Sequence, residues 1–127
     1  MFSPKEVDKG SKKLTSVLNA KLFGEVADLG AGWGYLSKEA LRLNDKITKV
    51  TLFESNYSAY LASKKNIEDE RAKFRWASLE NIKNLKARFN HVICNPPFHS
   101  GRPKDMDLLR SFIFHSARLI TDQGSVW

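Results

Sequence analysis

Cysteine, long apolar runs and acidic residues are the scarce features of this chain. A single cysteine, Cys94, among 127 residues excludes an internal disulfide, and its place inside an apolar stretch makes a buried, reduced thiol the ordinary outcome. No apolar run approaches membrane-spanning length, and the N-terminus lacks the hydrophobic core of a signal peptide. A cytoplasmic location is the resulting expectation. No cluster of His, Cys and carboxylate residues has metal-ligand spacing, so no metal is expected. Repeats, low-complexity tracts and an interdomain linker are also missing. Asp and Glu number 14 against 21 Lys and Arg, a formal net charge of +7. Such an excess speeds encounter with polyanions and supplies the salt-dependent part of nucleic-acid affinity. Lys5, Lys9, Lys12 and Lys13 form one candidate footprint, and Arg102 with Lys104 a second.

Two motifs stand out from this background. The first is Glu25-Val26-Ala27-Asp28-Leu29-Gly30-Ala31-Gly32-Trp33-Gly34, a short strand entering a glycine-rich turn, followed by helix-forming residues from Tyr35 to Leu43. Alternate glycines let the backbone take positive φ and approach a ligand closely, and the following helix start offers unpaired N–H groups. A dinucleotide fingerprint would need a glycine three positions after Gly32, where Tyr35 stands, so the nicotinamide and flavin reading loses its third glycine. About twenty residues beyond the turn, the strand-like run from Lys49 ends in Glu54. A carboxylate there can accept from both ribose hydroxyls and disfavours a phosphate, so the expected ligand is a nucleoside rather than a nucleotide.

The second motif is Asn95-Pro96-Pro97-Phe98, directly after the apolar run Phe89 to Cys94. Two consecutive prolines fix φ and remove backbone donors, which leaves the local carbonyls available to a ligand. The Asn95 side-chain oxygen and the Pro96 carbonyl can accept the two hydrogens of a planar amine, helping its lone pair localise toward an electrophile, while Phe98 stacks on the ring. His99 invites a general-base assignment. Such an amine loses its proton easily once it has attacked an electrophile, however, and a nucleic-acid contact or loop hydrogen bond accounts better for His99. His91, at a strand start, and His115, in a helical run, read as structural or solvent-facing.

With these residues the sequence resembles the class I S-adenosylmethionine-dependent methyltransferases, of the small-domain type similar to bacterial ribosomal RNA (guanine-N2) methyltransferases. The resemblance is carried by Phe2-Ser3, Asp8 to Ser11, the glycine turn, Glu54, and Asn95-Pro96-Pro97-Phe98-His99 followed by Gly101. It implies S-adenosyl-L-methionine as cofactor, with Asp28, Gly30, Ala31, Gly32, Gly34 and Glu54 around its methionine and ribose parts and Asn95 to Phe98 holding the target amine. Asn95 borders both groups. Ser78 falls where the family usually has Asp or Asn near the adenine amino group. Ribosomal RNA or a ribosomal subunit is the implied substrate. A protein glutamine or other amide N-methyltransferase is the second reading, although such members usually carry Tyr in place of Phe98. An inactive cofactor-binding remnant is the third.

Strand-like and helical runs alternate, which predicts an α/β fold: a Rossmann-like, doubly wound, mostly parallel sheet. Strands are expected at Glu25 to Leu29, Lys49 to Glu54, Lys73 to Ala77 and His91 to Cys94, with a fifth starting at Gly124 after a Gln-Gly turn. Helices are expected at Asp8 to Asn19, Leu36 to Leu43, Ser58 to Asn66, Leu79 to Leu85 and Asp107 to Leu119. Asp28, Glu54, Ser78 and Asn95 then share the rim beyond the strands' carboxyl ends, where such sheets bind ligands. The length fits one methyltransferase domain over residues 1–127, short for seven strands. Truncation after the fifth strand, without the family's terminal hairpin, is the expectation.

Overall fold

The computed structural model describes residues 21–82, 88–94, 110 and 120–127. Its elements are β1 (Gly24–Leu29), α1 (Tyr35–Leu43), β2 (Ile47–Glu54), α2 (Tyr57–Asn66), β3 (Ala72–Trp76), α3 (Leu79–Ile82), β4 (Phe89–Cys94) and β5 (Ile120–Val126). Every strand pairing is parallel, and the sheet order is β3-β2-β1-β4-β5. The Rossmann-like fold read from the sequence is therefore present. The expected N-terminal helix and the Asn95 to Phe98 segment lie outside the described residues, as does the expected Asp107 to Leu119 helix apart from Arg110, which is helical.

Burial explains why the strands run in this order. In β1 and β2 both alternating faces are covered, as a central parallel strand requires, whereas β3 at the edge exposes Lys73, Arg75 and Trp76. On one face Val26, Val50, Leu52 and Ile93 pack with Leu36, Ala40 and Leu41 of α1. On the other, Ala27, Leu29, Phe53, Phe89 and Val92 pack with Ile82 of α3. Arg71 closes the first layer: its guanidinium donates to the carbonyls of Leu41, Asn44 and Ile47 and to Asp69, tying the end of α1 to the approach of β3. After β3 the chain returns to lay β4 beside β1, so the order reverses between these two strands and opens the crevice in which such sheets hold ligands.

One expectation needs correction. β5 begins at Ile120, not Gly124, and Gln123-Gly124 lies within it. The turn signal survives as an irregular register: Phe89 pairs with Ile120 but His91 with Ser125. His91, expected to be structural or solvent-facing, is structural, at 3% exposed. Its Nδ1 accepts from the Trp127 indole N–H at 3.2 Å and lies 3.1 Å from Ser125 Oγ, while the Phe23 ring meets it edge-on and its Nε2 has no partner.

Burial holds the His91 imidazole below its ordinary value of 6.5. A proton on Nδ1 would face the Trp127 N–H, with Lys21 adding positive charge above the indole. The folded state thus prefers neutral His91, and its contribution to stability is present above pH 6.5 and lost as the pH falls through the depressed folded value. In urea unfolding from pH 7.5 to 5, the stability of the wild type is expected to fall relative to that of His91→Phe. Equal slopes would remove His91 as the source.

Candidate active site

The crevice is built around the turn from β1 to α1. Gly30, Gly32 and Gly34 have φ of 70°, 60° and 97°, the left-handed region that side chains disfavour. Gly34 caps α1 and faces α2: a Cβ there would lie 2.9 Å from Ile67 Cδ1 and 3.3 Å from Ser63 Cβ. Its lack of a side chain therefore serves packing. The turn is held from two further directions. The Phe53 carbonyl accepts from the amides of both Gly30 and Ala31, at 2.9 and 3.1 Å, and Asn66 Nδ2 donates to the Trp33 carbonyl at 3.1 Å. No side chain caps α1 and its first turn carries no acid, so its opening amides keep their positive end.

Glu54, the last residue of β2, reaches across to this turn. Its Oε1 accepts from the Gly32 amide at 2.7 Å and its Oε2 from the Asn56 amide at 2.7 Å. Each carboxylate oxygen can accept a second hydrogen bond, so the carboxylate is oriented and still able to take two hydroxyls.

Asp28 sits one residue before the end of β1 and is 0% exposed. Its Oδ2 accepts from Ser37 Oγ of α1 at 2.6 Å, whereas Oδ1 has no partner. Burial, above all, pushes its pKa up to about 7; the Ser37 hydrogen bond opposes this and the Glu54 charge adds to it. The fold favours the protonated form, so the relative stability Asp28 supplies is present below pH 3.8 and lost as the pH rises through about 7. The loss amounts to about 4 kcal/mol at pH 8. Asn at position 28 keeps an acceptor for Ser37 without the charge. Asp28→Asn is expected to unfold at higher denaturant than the wild type at pH 8, with the gap closing by pH 4. A gap unchanged between the two pH values would remove this account.

Ser78 follows β3 and serves locally. Its hydroxyl donates to Asn81 Oδ1 at 2.9 Å and accepts from the Asn81 amide at 3.3 Å, a reciprocal cap on α3. The structure thus gathers Asp28, Gly30, Ala31, Gly32 and Glu54 around one turn and sets Ser78 at the end of a neighbouring strand. Asn95, Pro96, Pro97 and Phe98 lie outside the described residues. Cys94, immediately before them, ends β4 next to Leu29 of β1.

The sequence matches the family model of the methyltransferase small domain over residues 1–127. The chain belongs to that family. It is 30% identical over 126 residues to the ribosomal RNA small subunit methyltransferase C of Buchnera aphidicola subsp. Schizaphis graminum, covering 99% of this chain and 37% of the relative. The protein of the same name from Escherichia coli O1:K1 is likewise 30% identical, with 99% and 36% covered. This methyltransferase domain thus spans little more than a third of the curated relatives it matches. Among solved structures, the T. thermophilus 16S rRNA N2-guanine methyltransferase in complex with AdoMet and guanosine superposes with a TM-score of 0.77 at 27% identity. That match covers 97% of this chain and 34% of the other.

Two residues that bond to Asp28 and Glu54 in this small methyltransferase domain, and one that lies outside the turn, are missing from the sequence-based expectations. Ser37, which occupies half of the Asp28 carboxylate, was legible only as a polar residue at a helical core position. Asn56 before α2 is an N-cap whose Oδ1 accepts from the Ala59 amide at 3.0 Å, and the Asn-Tyr-Ser start of that helix carries the signal. Trp76, 61% exposed beside Glu54 in the register, continues the period-2 series Ala72, Phe74, Trp76.

The described residues fit a sulfonium nucleoside. An orphaned buried carboxylate oxygen suits a cationic donor, left-handed glycines allow close backbone approach, and Glu54 has acceptor capacity for a ribose diol. No helix among the described residues is long and apolar enough to cross a membrane.

Proposed function

We propose that this chain is an S-adenosylmethionine-dependent N-methyltransferase domain acting in the cytoplasm on the exocyclic N2 amine of a guanine in small-subunit ribosomal RNA. The observation that carries the reading is Glu54, fixed by the Gly32 and Asn56 amides at the end of β2 with acceptor capacity left for a ribose. Family membership, the rRNA methyltransferases among the relatives and the net charge of +7 support it.

When bound, the cofactor supplies a methyl group on a positively charged sulfur that leaves with the bonding electron pair. The protein's task is alignment. Glu54 takes the ribose hydroxyls, the Gly30 to Gly32 backbone lies along the methionine part, and Asp28 Oδ1 accepts from its ammonium. Asn95 and the Pro96 carbonyl accept the two amine hydrogens, Pro97 stiffens the corner, and Phe98 stacks on the base. The nitrogen lone pair would then face the methyl group, and after transfer one of the two hydrogens on nitrogen would leave to solvent as a proton. Alignment of this kind contributes on the order of 7–11 kcal/mol. A guanine in paired RNA must be unstacked to reach the rim.

The test incubates the chain with methyl-labelled cofactor and either deproteinised ribosomal RNA or intact small subunits, followed by nucleoside digestion. Label in N2-methylguanosine is the expected result. Label in protein glutamine would replace this reading with the amide one, and cofactor binding without transfer would reduce the chain to a binding module.

A further inference from the structure

The rim does not account for the outer face of α2. Among the described residues, Tyr57, Leu61 and Trp76 are three of the four large apolar side chains that stand exposed, at 51%, 40% and 61%. They are neighbours. Tyr57 lies 4.8 Å from Trp76 and 5.8 Å from Tyr60 between ring centroids, stacked on the latter at 29°, and Leu61 follows one helical turn after Tyr57. Solvation alone would not select two aromatic rings here.

Trp76 is held in place by a hydrogen bond, and Tyr57 rests against the Tyr60 ring. Trp76 Nε1 donates to the Ser55 carbonyl at 2.9 Å, which lays the indole across the β2–α2 turn, and Lys64 Nζ stands 5.4 Å above the Tyr60 ring. Rigid aromatic planes lose little entropy on binding. Lys64 and Lys65 are exposed at the far end of the helix, and Lys73 and Arg75 are exposed on the adjoining edge strand. The exposed acids nearby, Glu68 and Glu70, fall in the loop beyond the helix, off the aromatic stretch. Both carboxylate oxygens of Glu54 are engaged by backbone amides, those of Gly32 and Asn56.

We propose that Tyr57, Trp76 and the lysines of α2 form a docking surface for single-stranded RNA flanking the target nucleotide. The inference rests on the RNA-methyltransferase reading and adds to it a place for bases that are not modified. Bases stack on the two rings, whose π faces accept any base, and the phosphates run past Lys64 and Lys65. The choice of RNA over a protein follows from charge: an apolar patch continued along the same helix by the exposed Lys64 and Lys65 suits a polyanion with flat apolar faces. Single strands are favoured over duplex, because paired bases keep their faces to themselves.

The test titrates a short single-stranded RNA oligonucleotide, and a duplex of the same composition, into the wild type, Tyr57→Ala, Trp76→Ala and the exposed-charge variant Lys64→Glu/Lys65→Glu. Each ring removal is expected to weaken single-strand binding about tenfold or more. The charge variant is expected to lower the salt slope by roughly one or more, with cofactor affinity unchanged throughout. Unchanged RNA affinity would overturn the surface, as would loss of cofactor affinity in Trp76→Ala, or a self-associated wild type dispersed by that substitution. Binding that depends on the patch without label in any guanine would sink the proposed reaction and leave the surface. Guanine methylation with KM for RNA unchanged in all three variants would do the reverse.

Discussion

Glu54→Gln is expected to weaken S-adenosylmethionine binding by about 100-fold or more while leaving the fold intact. The carboxylate accepts from the Gly32 and Asn56 amides and, in the proposed complex, from two ribose hydroxyls. Hydrogen bonds to a charged group each contribute about 1.5–3 kcal/mol, so losing the charged character of two such bonds spans that range of affinity. Glutamine is close in size but turns an NH2 group toward one of the two backbone amides, donor against donor. The glycine turn or the helix start must then shift, and the ribose loses its oriented acceptor pair. Calorimetric titration with the cofactor measures the effect, and circular dichroism checks the fold. An affinity within threefold of the wild type would show that Glu54 serves only the loop.

Asn95→Ala is expected to show the opposite division, with turnover reduced by at least about 100-fold and cofactor affinity held within a few-fold. Cys94, which precedes Asn95 in the chain, ends β4 beside Leu29 of β1, and its amide donates to the Trp127 carbonyl at 3.2 Å. In the proposed complex, removing the Asn95 side chain takes away one of two acceptors for the amine and leaves the ribose end untouched. Misplacement of the nucleophile by an ångström is enough for the stated loss. Single-turnover transfer at saturating cofactor reads the chemistry, and titration reads binding. Loss of binding in Asn95→Ala would merge the two halves of the site.

The sheet was legible because its strands are buried on both faces. Val26-Ala27 and Val50 to Phe53 read as near-continuous apolar runs, the glycine turn and Glu54 fall at their ends, and strand boundaries differ from expectation by one or two residues for β1 to β4. Position along a strand is a local property that alternation reveals. What a side chain touches depends on chain returning from elsewhere. Glu54 was read as a ribose ligand from its place, but its hold on the Gly32 amide, 22 residues back, has no local signature. Gly34 shows the same limit: the sequence presents it as one more glycine of a ligand-facing turn, and α2 packing against it gives another reason for it to be glycine. Gln123-Gly124 was read as a turn because its composition is that of one, and pairing with β4 absorbed it into an irregular strand. His91 was left between a structural and a solvent-facing role because its partners, Phe23, Ser125 and Trp127, lie far from it in the chain.

The amides of Gly30, Ala31 and Gly32 all end on two consecutive residues of β2, Phe53 and Glu54. Although the turn grows out of β1, it is a passenger of its neighbour. Its hydrogen-exchange clock is therefore expected to run at the pace of a central strand rather than of a surface bend, so that the pocket floor stays set between turnovers.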